Sequence, residues 1–400
     1  MPINVSAPAA TRTLVARQPI FDRERRVIAY DLLVRASTAA ALVDTLASLG
    51  LDSLTGGKRA FVTLDSTLVD SDVLAQLPKD RVVFELTPAA TADGSALPRC
   101  RELATRGFAV AVDGASLNGD ADPLAELASF LVVDFTRVDT PEQRAHLALR
   151  RAPGAQLVAR HVDTMPAFSA AAAEGFAWIE GGFLAHPTLT PGKPVDVGAL
   201  GRMRVLHALH NPMLSVAQIE ELIKPDTTLC YQVLRTVNSA AFAQRRTIQS
   251  IHDALLLLGR DMIRRWISVW TVAGLGRAVH PELMTMSAVR ARTCELVGDA
   301  AGGPSFAAEG FLGGLCSSLD AILGVPMKEV VQAVPLTPDA KAALLGADNR
   351  LRVLVDGIKA YERGQWPIAS NALSRLGVPE HECAAAYLAA LKWARELQKA

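Results

Sequence analysis

The pattern of this chain changes at a proline-rich segment, HPTLTPGKPVD (186–196). Before it, short apolar runs alternate with helical stretches, and after it every stretch has the apolar spacing of helices. Proline lacks a backbone donor and disfavours helix in the residue before it, so the segment predicts a linker. A chain of 400 residues is longer than one hydrophobic core usually supports. We predict a leader over 1–13, a barrel over 14–190, the linker over 186–196 and a helical domain over 197–390.

The first half has the strand order of a barrel. Two β-prone runs, LVARQPIFD and VIAYDLLVR, predict a hairpin because a charged tip, RERR, separates them. Six further apolar runs follow, at 60–65, 82–86, 108–113, 131–135, 157–162 and 177–183. Apolar strands separated by helices imply a parallel sheet, and this number predicts an α/β TIM-like (βα) barrel. The chemistry of such barrels lies where the strands end, so the candidate residues are Asp31, Thr63, Glu85, Asp113, Asp134 and Arg160.

The motifs at these strand ends resemble those of an EAL domain, the cyclic-di-GMP phosphodiesterase barrel. Gln18, Pro19 and Ile20 match the QPI strand that opens the family. The Glu-Ala-Leu-x-Arg motif aligns with DLLVR, which ends at Arg35. The resemblance implies that Gln18 and Arg35 occupy positions that contact base and phosphate in the family. It also implies that four carboxylates stand at vestigial catalytic positions: Asp31, Glu85, Asp113 and Asp134.

The chain departs from the EAL pattern at four groups that matter for hydrolysis. Thr63 replaces an asparagine, Gly114 a second aspartate, Val132 a lysine and Arg160 a carboxylate. Hydrolysis with two metals needs several hard oxygen ligands converging on cations about 3.5–4 Å apart. An arginine among the remaining carboxylates would compete for them, because it carries a fixed positive charge and five donors. We expect a degenerate phosphodiesterase fold with no bound metal, no cofactor and no turnover, its surviving carboxylates paired with Arg160 or backbone donors.

Binding of the dinucleotide without hydrolysis is a separate question. Gln18 and Arg35 are retained, which keeps open a weak cyclic-di-GMP site. Against it stand the altered loop at Gly114 and the presence of Glu180 where the family has glutamine, which adds negative charge beside an anionic ligand. The alternative hypothesis is therefore a cyclic-di-GMP-binding effector or a residual phosphodiesterase, and only that alternative would require Mg²⁺ or Mn²⁺.

The second half is helical throughout by pattern and contains VLRTVNSAAFAQRRTIQSIHDALLLLG. This phrase resembles the signature of an HDOD domain, a helical module related to HD hydrolases but without their chemistry. Ser250 and Asp253 predict a helix N-terminus, as do Ser215 and the glutamine three residues after it. The His-Asp pair at His252 falls on this helix start, so we interpret it as coincidence and not as a metal motif.

Three other features of the second half have ordinary structural interpretations. Gly310, Gly313 and Gly314 have no following Lys-Ser/Thr pair, so they predict close helix packing and not a phosphate loop. Trp266 and Trp270 lie i,i+4 and should share one helix face. A basic run that includes Arg245 and Arg246 suggests nucleic acid, but acidic residues elsewhere dilute it and ion pairing is the simpler explanation.

Composition narrows the function classes. Lys plus Arg and Asp plus Glu both number 41, so the net charge argues against nucleic acid and anionic membrane surfaces as partners. The five cysteines are scattered, which favours reduced thiols in a cytoplasmic protein. No apolar run has the length of a membrane span, so no membrane insertion is expected.

The two resemblances together imply a bacterial two-domain signalling protein. We expect a non-catalytic scaffold that acts through other signalling proteins in cyclic-di-GMP-related or two-component signalling. Loops between rigid helices commonly carry recognition, so the segment around Arg245 and Arg246 is one candidate partner surface.

Overall fold

The computed structural model describes residues 14–399 apart from 37, 66, 67, 70, 88–96, 118–121, 139, 187–196, 210–212, 239–247, 249, 276–278, 334 and 335. The predicted leader and most of the predicted linker therefore lie outside the described residues, as do Arg245 and Arg246. The chain divides into two compact units, Met1–Pro187 with Ala360–Trp366, and Thr188–Lys359 with Pro367–Ala400.

The first unit is a closed barrel, and its TIM-like character is as the apolar runs predict. Its strands follow one another around the barrel in chain order: β1 (Leu14–Phe21), β2 (Val27–Arg35), β3 (Arg59–Leu64), β4 (Val82–Leu86), β5 (Ala109–Asp113), β6 (Phe130–Asp134), β7 (Gln156–Arg160) and β8 (Trp178–Glu180). The opening hairpin makes β1 antiparallel to β2, and β1 closes the barrel antiparallel to β8, while the remaining neighbours are parallel.

Helices connect the parallel strands: α1 (Ala39–Leu49), α2 (Leu51–Thr55), α3 (Leu97–Thr105), α4 (Pro123–Leu127), α5 (Pro141–Leu149) and α6 (Met165–Ala173). Thr140 and Thr164 begin α5 and α6 in the same way, since each side chain accepts a hydrogen bond from a backbone N–H three residues on. A short 3₁₀ turn, Gly114–Ser116, follows β5 and is capped by Asp113.

The alternation of side chains along each strand decides which residues face the barrel interior. A buried apolar cluster inside the barrel contains Ala29, Phe61, Val83, Ala111, Phe130, Val132 and Val158, with Trp178 packed against it. Residues two positions further along a strand share the same face. Those residues are Asp31, Thr63, Glu85, Asp113, Asp134, Arg160 and Glu180. The polar strand ends thus form the interior layer directly beyond the apolar core, at the carboxyl end of the barrel.

The second unit is built of helices in the part of the chain that the structure describes. They are α7 (Val197–Ala208), α8 (Val216–Ile223), α9 (Thr227–Val237), α10 (Ile251–Leu258), α11 (Arg260–Ala273), α12 (Pro281–Cys316), α13 (Leu319–Leu323), α14 (Met327–Ala333), α15 (Pro338–Leu344), α16 (Arg350–Glu362), α17 (Trp366–Leu376) and α18 (Glu380–Lys399). Helix α16 ends, and α17 begins, within the segment Ala360–Trp366 that belongs to the first unit.

The helix starts predicted in this unit are confirmed. Ser215 and Gln218 form a reciprocal capping box at α8. At α10, the Ser250 hydroxyl accepts from the backbone N–H of Asp253 and also contacts its carboxylate at 2.7 Å. Trp266 and Trp270 pack edge to face with ring centroids 5.6 Å apart in the buried core, as their spacing predicts.

Helix α12 reverses direction at Gly303, whose φ of 74° and ψ of −170° are not helical. The two arms lie close together because glycines line the contact. A Cβ on Gly310 would lie 2.5 Å from the carbonyl oxygen of Cys294, and one on Gly314 would lie 2.9 Å from Cα of Ala291. The packing interpretation of these glycines is therefore confirmed, and a phosphate loop is not needed to explain them.

One run of helix, Pro281–Leu323, is long and apolar enough to cross a membrane by length and composition. In the structure 72% of its most apolar window is buried inside the protein. The chain also turns back within this run at Gly303, so the run consists of core helices and not of one straight segment.

Candidate functional site

Arg160 lies at the centre of three buried carboxylates that we call the mouth cluster: Asp31 of β2, Glu85 of β4, Arg160 of β7 and Glu180 of β8. Its Nη2 donates to Asp31 Oδ2 at 3.0 Å and its Nε donates to Glu180 Oε2 at 2.9 Å. Both terminal nitrogens donate to the two carboxylate oxygens of Glu85 in a bidentate pair. One guanidinium thus contacts carboxylates from three strands, each of them only 2% exposed.

The mouth cluster contains three carboxyl groups and one guanidinium, and burial shifts the pKa values of its carboxyl groups. Burial raises the pKa of Asp31 to about 6 and that of Glu85 to about 7, although the nearby Arg160 acts in the opposite direction. Burial also raises the pKa of Glu180. Burial alone would lower the pKa of Arg160, but Glu85, Asp31 and Glu180 raise it well above its ordinary value. The arginine is therefore permanently charged, while the carboxyls take up protons more readily than usual.

One carboxylate oxygen of the mouth cluster lacks a hydrogen-bond partner in the part of the chain that the structure describes. Asp31 Oδ1 is buried and has no hydrogen-bond partner among the described residues. A buried acceptor without a partner is costly, and it is consistent with the raised pKa of this carboxyl, since a proton on it reduces that cost.

Asp134, at the end of β6, lies outside the mouth cluster and has its own partners. Its Oδ1 accepts from the backbone N–H and hydroxyl of Thr136, at 2.8 and 2.6 Å, and contacts His161 Nδ1 at 3.1 Å. Burial acts to raise the pKa of Asp134, but the hydrogen bonds from Thr136 and His161 lower it. His161 adopts a φ of 56°, a left-handed conformation that is unusual for a residue other than glycine.

The loop after β7 is held against the end of β8 by a glycine. A Cβ on Gly181 would lie 2.1 Å from the carbonyl oxygen of Val162, so no other residue fits without movement of the backbone. Asp163 then accepts a hydrogen bond from the backbone N–H of Gly182 at 2.7 Å. This close approach positions Glu180 beside Arg160.

The remaining candidate residues are placed as follows. Asp113 caps its own 3₁₀ turn by accepting from the N–H of Ala115 at 2.8 Å. Thr63 lies opposite Glu85 in the β3–β4 register. Val132 is fully buried in the apolar layer below the polar strand ends. Its side chain is uncharged, so this position supplies no positive charge to the barrel mouth.

The two residues matched to ligand contacts in the EAL pattern lie on the opening hairpin. Gln18 is opposite Asp31 in the register of β1 and β2, and Arg35 is the last residue of β2. Arg35 shares the face of Asp31 but lies four residues beyond it, about 13 Å along the strand.

The residues at the barrel mouth do not fit a divalent metal. Among the described residues no group of three or more His, Cys, Asp or Glu side chains is placed to hold a metal ion. The carboxylates that converge do so on the guanidinium of Arg160, which already uses their oxygens as acceptors. A cation would have to displace that guanidinium before it could be coordinated.

The sequence singled out Arg160 and the carboxylates but did not pair them individually. In the sequence Glu180 predicts only an unfavourable charge beside an anionic ligand, whereas in the structure it is one of three carboxylates that Arg160 contacts among the described residues. His161 was not singled out at all, and no local signal predicts its left-handed φ. In the second unit, His252 contacts Glu220 Oε2 at 2.9 Å, and Asp253 serves the N-cap of α10. The His-Asp pair thus has a structural role.

Comparison with known proteins covers both units. Residues 201–332 match the family model described as HDOD domain. YuxH of Bacillus subtilis is 30% identical over 97% of this chain and 100% of its own length. CdgJ of Vibrio cholerae, described as a cyclic di-GMP phosphodiesterase, is 24% identical over 97% of this chain and 93% of its own.

Solved EAL domains are similar to the first half of the chain. The EAL domain of Mycobacterium smegmatis DcpA is 20% identical over 42% of this chain and 90% of its own, with a TM-score of 0.35. The EAL domain of FimX from Pseudomonas aeruginosa, solved with c-di-GMP bound, is 18% identical over 43% of this chain and 89% of its own, with a TM-score of 0.34.

Proposed function

The chain belongs to the family of YuxH, with an EAL-type barrel followed by an HDOD domain, and from that premise we propose that it is a non-catalytic protein of cyclic-di-GMP-related signalling. In this proposal the barrel neither holds a metal nor hydrolyses the dinucleotide, and the protein acts through contacts with other signalling proteins.

The observation that carries the proposal is the position of Arg160. Its guanidinium makes charge-assisted hydrogen bonds to Asp31, Glu85 and Glu180 at the point where divalent cations would need those oxygens. The arginine is covalently attached, so it competes with a metal at a high effective concentration. Its pKa lies well above the ordinary value, so it does not leave by losing its proton. The barrel thus supplies its own cation in place of a catalytic one.

A second candidate function has one observation in its favour. Three carboxylates remain at the barrel mouth, Gln18 lies opposite one of them, Asp31, in the strand register, and Asp31 Oδ1 has no hydrogen-bond partner among the described residues. A ligand that displaced the groups covering this oxygen and donated a hydrogen bond to it, as the N–H edge of a guanine could, would supply the missing partner. Binding of cyclic-di-GMP without hydrolysis, or residual hydrolysis of the kind that the name of CdgJ describes, is therefore the alternative.

Two measurements on the full chain separate these functions. Calorimetry with cyclic-di-GMP, in the presence of Mg²⁺ and then of Mn²⁺, should detect no submicromolar binding. Chromatography of a long incubation should detect no linearised dinucleotide. The appearance of product would overturn the proposal if Glu85→Gln abolished it, because that substitution would not affect a contaminating phosphodiesterase.

The protein-contact part of the proposal has its own test. The full chain should be cross-linked in its native cells at normal and at depleted levels of cyclic-di-GMP. We expect it to capture a signalling protein equally well at both levels. Capture that requires the dinucleotide would favour the alternative, in which the barrel senses it. The partner surface suggested for Arg245 and Arg246 stays a prediction.

A further inference from the structure

Four helices of the second unit line a cavity of about 280 Å³, open to solvent on one side, that we call the four-helix cavity. Its wall is formed by α9, α11, α12 and α18, each contributing residues spaced three or four apart: Gln232, Arg235, Thr236, Val269, Trp270, Ala273, Pro281, Met284, Thr285, Ala288, Ala394 and Leu397. Most of these side chains are apolar. The volume is near the lower end of the range for small-molecule sites.

Two residues of α9 that line this cavity each carry a buried polar atom without a hydrogen-bond partner among the described residues. Thr236 is fully buried, yet its hydroxyl has no hydrogen-bond partner among the described residues. The side-chain oxygen of Gln232, one helical turn before it, has none either. Thr285 on the opposite wall shows what a buried helical threonine usually does, since its hydroxyl donates to the carbonyl oxygen of Pro281 at 3.0 Å.

A polar group buried without a partner costs free energy and indicates that something else satisfies it. Both oxygens are closed to water in the structure, so a partner reaches them only when the side chains that cover them shift. The cavity beside them has room for several water molecules, to which its apolar wall offers few hydrogen bonds. A ligand with an apolar body and a few polar atoms matches the wall better, because it covers Val269, Trp270 and Met284 while it reaches the two oxygens.

A positively charged side chain at the rim of the cavity favours a ligand with a negative group. Arg235 is exposed, lines the cavity and makes no ion pair with any residue that the structure describes. Since it lies between Gln232 and Thr236 on the same helix, a negative group at the mouth would pair with its guanidinium.

We propose that the four-helix cavity binds a small carboxylic acid with a flat apolar body, which donates one hydrogen bond to Gln232, accepts one from Thr236 and directs its carboxylate toward Arg235. The site would give the helical unit a chemical input of its own. It is independent of the barrel mouth and does not rest on the function proposed above.

Indole-3-carboxylate is a suitable probe, since it combines a bicyclic apolar body, an N–H donor and a carboxylate. Calorimetry or saturation-transfer NMR with the full chain should give saturable binding with a Kd on the order of 1 mM, as expected for so few atoms. Benzofuran-3-carboxylate, which lacks the N–H, should bind about 10-fold more weakly because Gln232 is left unpaired. Gln232→Met should abolish this preference, a result that a purely structural role of Gln232 would not produce.

Thr236→Val tests the buried hydroxyl, and Thr285→Val is its matched control. Thr236→Val should weaken binding of indole-3-carboxylate about 5-fold and raise the melting temperature of the ligand-free protein, because it removes an unsatisfied group. Thr285→Val removes a hydroxyl that is already bonded, so it should leave binding unchanged without raising the melting temperature. Arg235→Gln should weaken the acid but not uncharged indole.

Absence of saturable binding of indole-3-carboxylate up to its solubility limit would overturn the proposal. So would equal affinity of Thr236→Val and the unmodified chain, or a lowered melting temperature of ligand-free Thr236→Val, since the hydroxyl would then have a structural partner.

Discussion

The mouth cluster of the barrel and the four-helix cavity show two ways in which a protein treats buried polar groups. In the barrel, one side chain from within the chain fills the site, since Arg160 contacts Asp31, Glu85 and Glu180. In the helical unit, Gln232 and Thr236 line a cavity that no described side chain fills. The barrel carboxylates already share an internal cation, although Asp31 Oδ1 has no hydrogen-bond partner among the described residues, whereas no charged group in the described part of the chain occupies the four-helix cavity in the same way.

The difference matters because the carboxyl ends of the strands make the barrel mouth the first place to look for a ligand. The ion pairs of Arg160 at the barrel mouth instead favour the helical unit as the place where a ligand binds. Binding to the barrel mouth requires Arg160 to be displaced from buried carboxylates, while binding to the four-helix cavity separates no ion pair that involves its described lining residues.

The largest expected effect comes from removing the internal cation. Arg160→Met leaves three buried carboxylates without their counter-ion, and it should destabilise the barrel by about 3 kcal/mol or more near pH 8. The loss should be smaller near pH 5, where the carboxyls hold protons. Hydrogen exchange of peptides from β2, β4 and β8, measured by mass spectrometry, reports the barrel separately from the helices. An unchanged exchange rate would mean that Arg160 does not stabilise the three buried carboxylates.

The next effect is a dependence of barrel stability on pH. The pKa of Glu85 is about 7 in the folded protein against 4.5 ordinarily, and that of Asp31 is about 6 against 3.8. The folded state therefore binds protons that the unfolded state has lost. Stability should be fully present below the ordinary pKa values and should fall as pH rises toward 7, by up to about 1.4 kcal/mol per pH unit for each titrating group.

Urea unfolding followed at pH values from about 5 to 8 would measure this slope. Glu85→Gln should reduce it, because glutamine does not titrate. The exposed Glu142 provides the matched control, since Glu142→Gln removes a carboxylate without removing a buried one. A barrel that becomes more stable as pH rises through this window would contradict the assignment.

A smaller effect is expected in the helical unit, with the opposite sign. In the ligand-free protein, Thr236→Val should stabilise the helices by roughly 0.5–1 kcal/mol, since the unpaired hydroxyl is replaced by a methyl group of similar shape. Exchange rates of peptides from α9 and α11 should fall. A rise in those rates would remove the contrast between the two sites.

The smallest effect is expected at the edge of the barrel mouth. Arg137 contacts Asp134 Oδ2 at 3.4 Å, but its side chain is 60% exposed. Arg137→Met should therefore change barrel stability by less than about 1 kcal/mol. Arg137→Met and Arg160→Met both remove one positive charge, but Arg160 is much less exposed than Arg137. Comparing the hydrogen-exchange rates of the two variants therefore separates the effect of burial from the effect of losing a charge. Equal effects would show that burial does not distinguish the two arginines.

Much of this arrangement follows from local patterns in the chain. Continuous apolar runs such as 60–65 and 82–86 predict buried strands that end near Thr63 and Glu85, and the order of such strands predicts a barrel with those ends together. Ser215 and Ser250 predict helix starts because a cap depends on residues only three positions apart. The presence of Arg160 among carboxylates follows from the same ordering.

Contacts between distant residues could not be predicted in this way. The pairing of Glu180 with Arg160 depends on the close approach of Gly181 to Val162, and the left-handed His161 depends on the same turn. The four-helix cavity collects residues from 232 to 397. A pattern of three or four residues indicates which face of a helix is buried but not which distant helix covers it, because that depends on packing over the whole unit. The chain's local order therefore accounts for its barrel, its helices and its polar strand ends, and three-dimensional packing alone determines which polar groups are satisfied and which are left for a ligand.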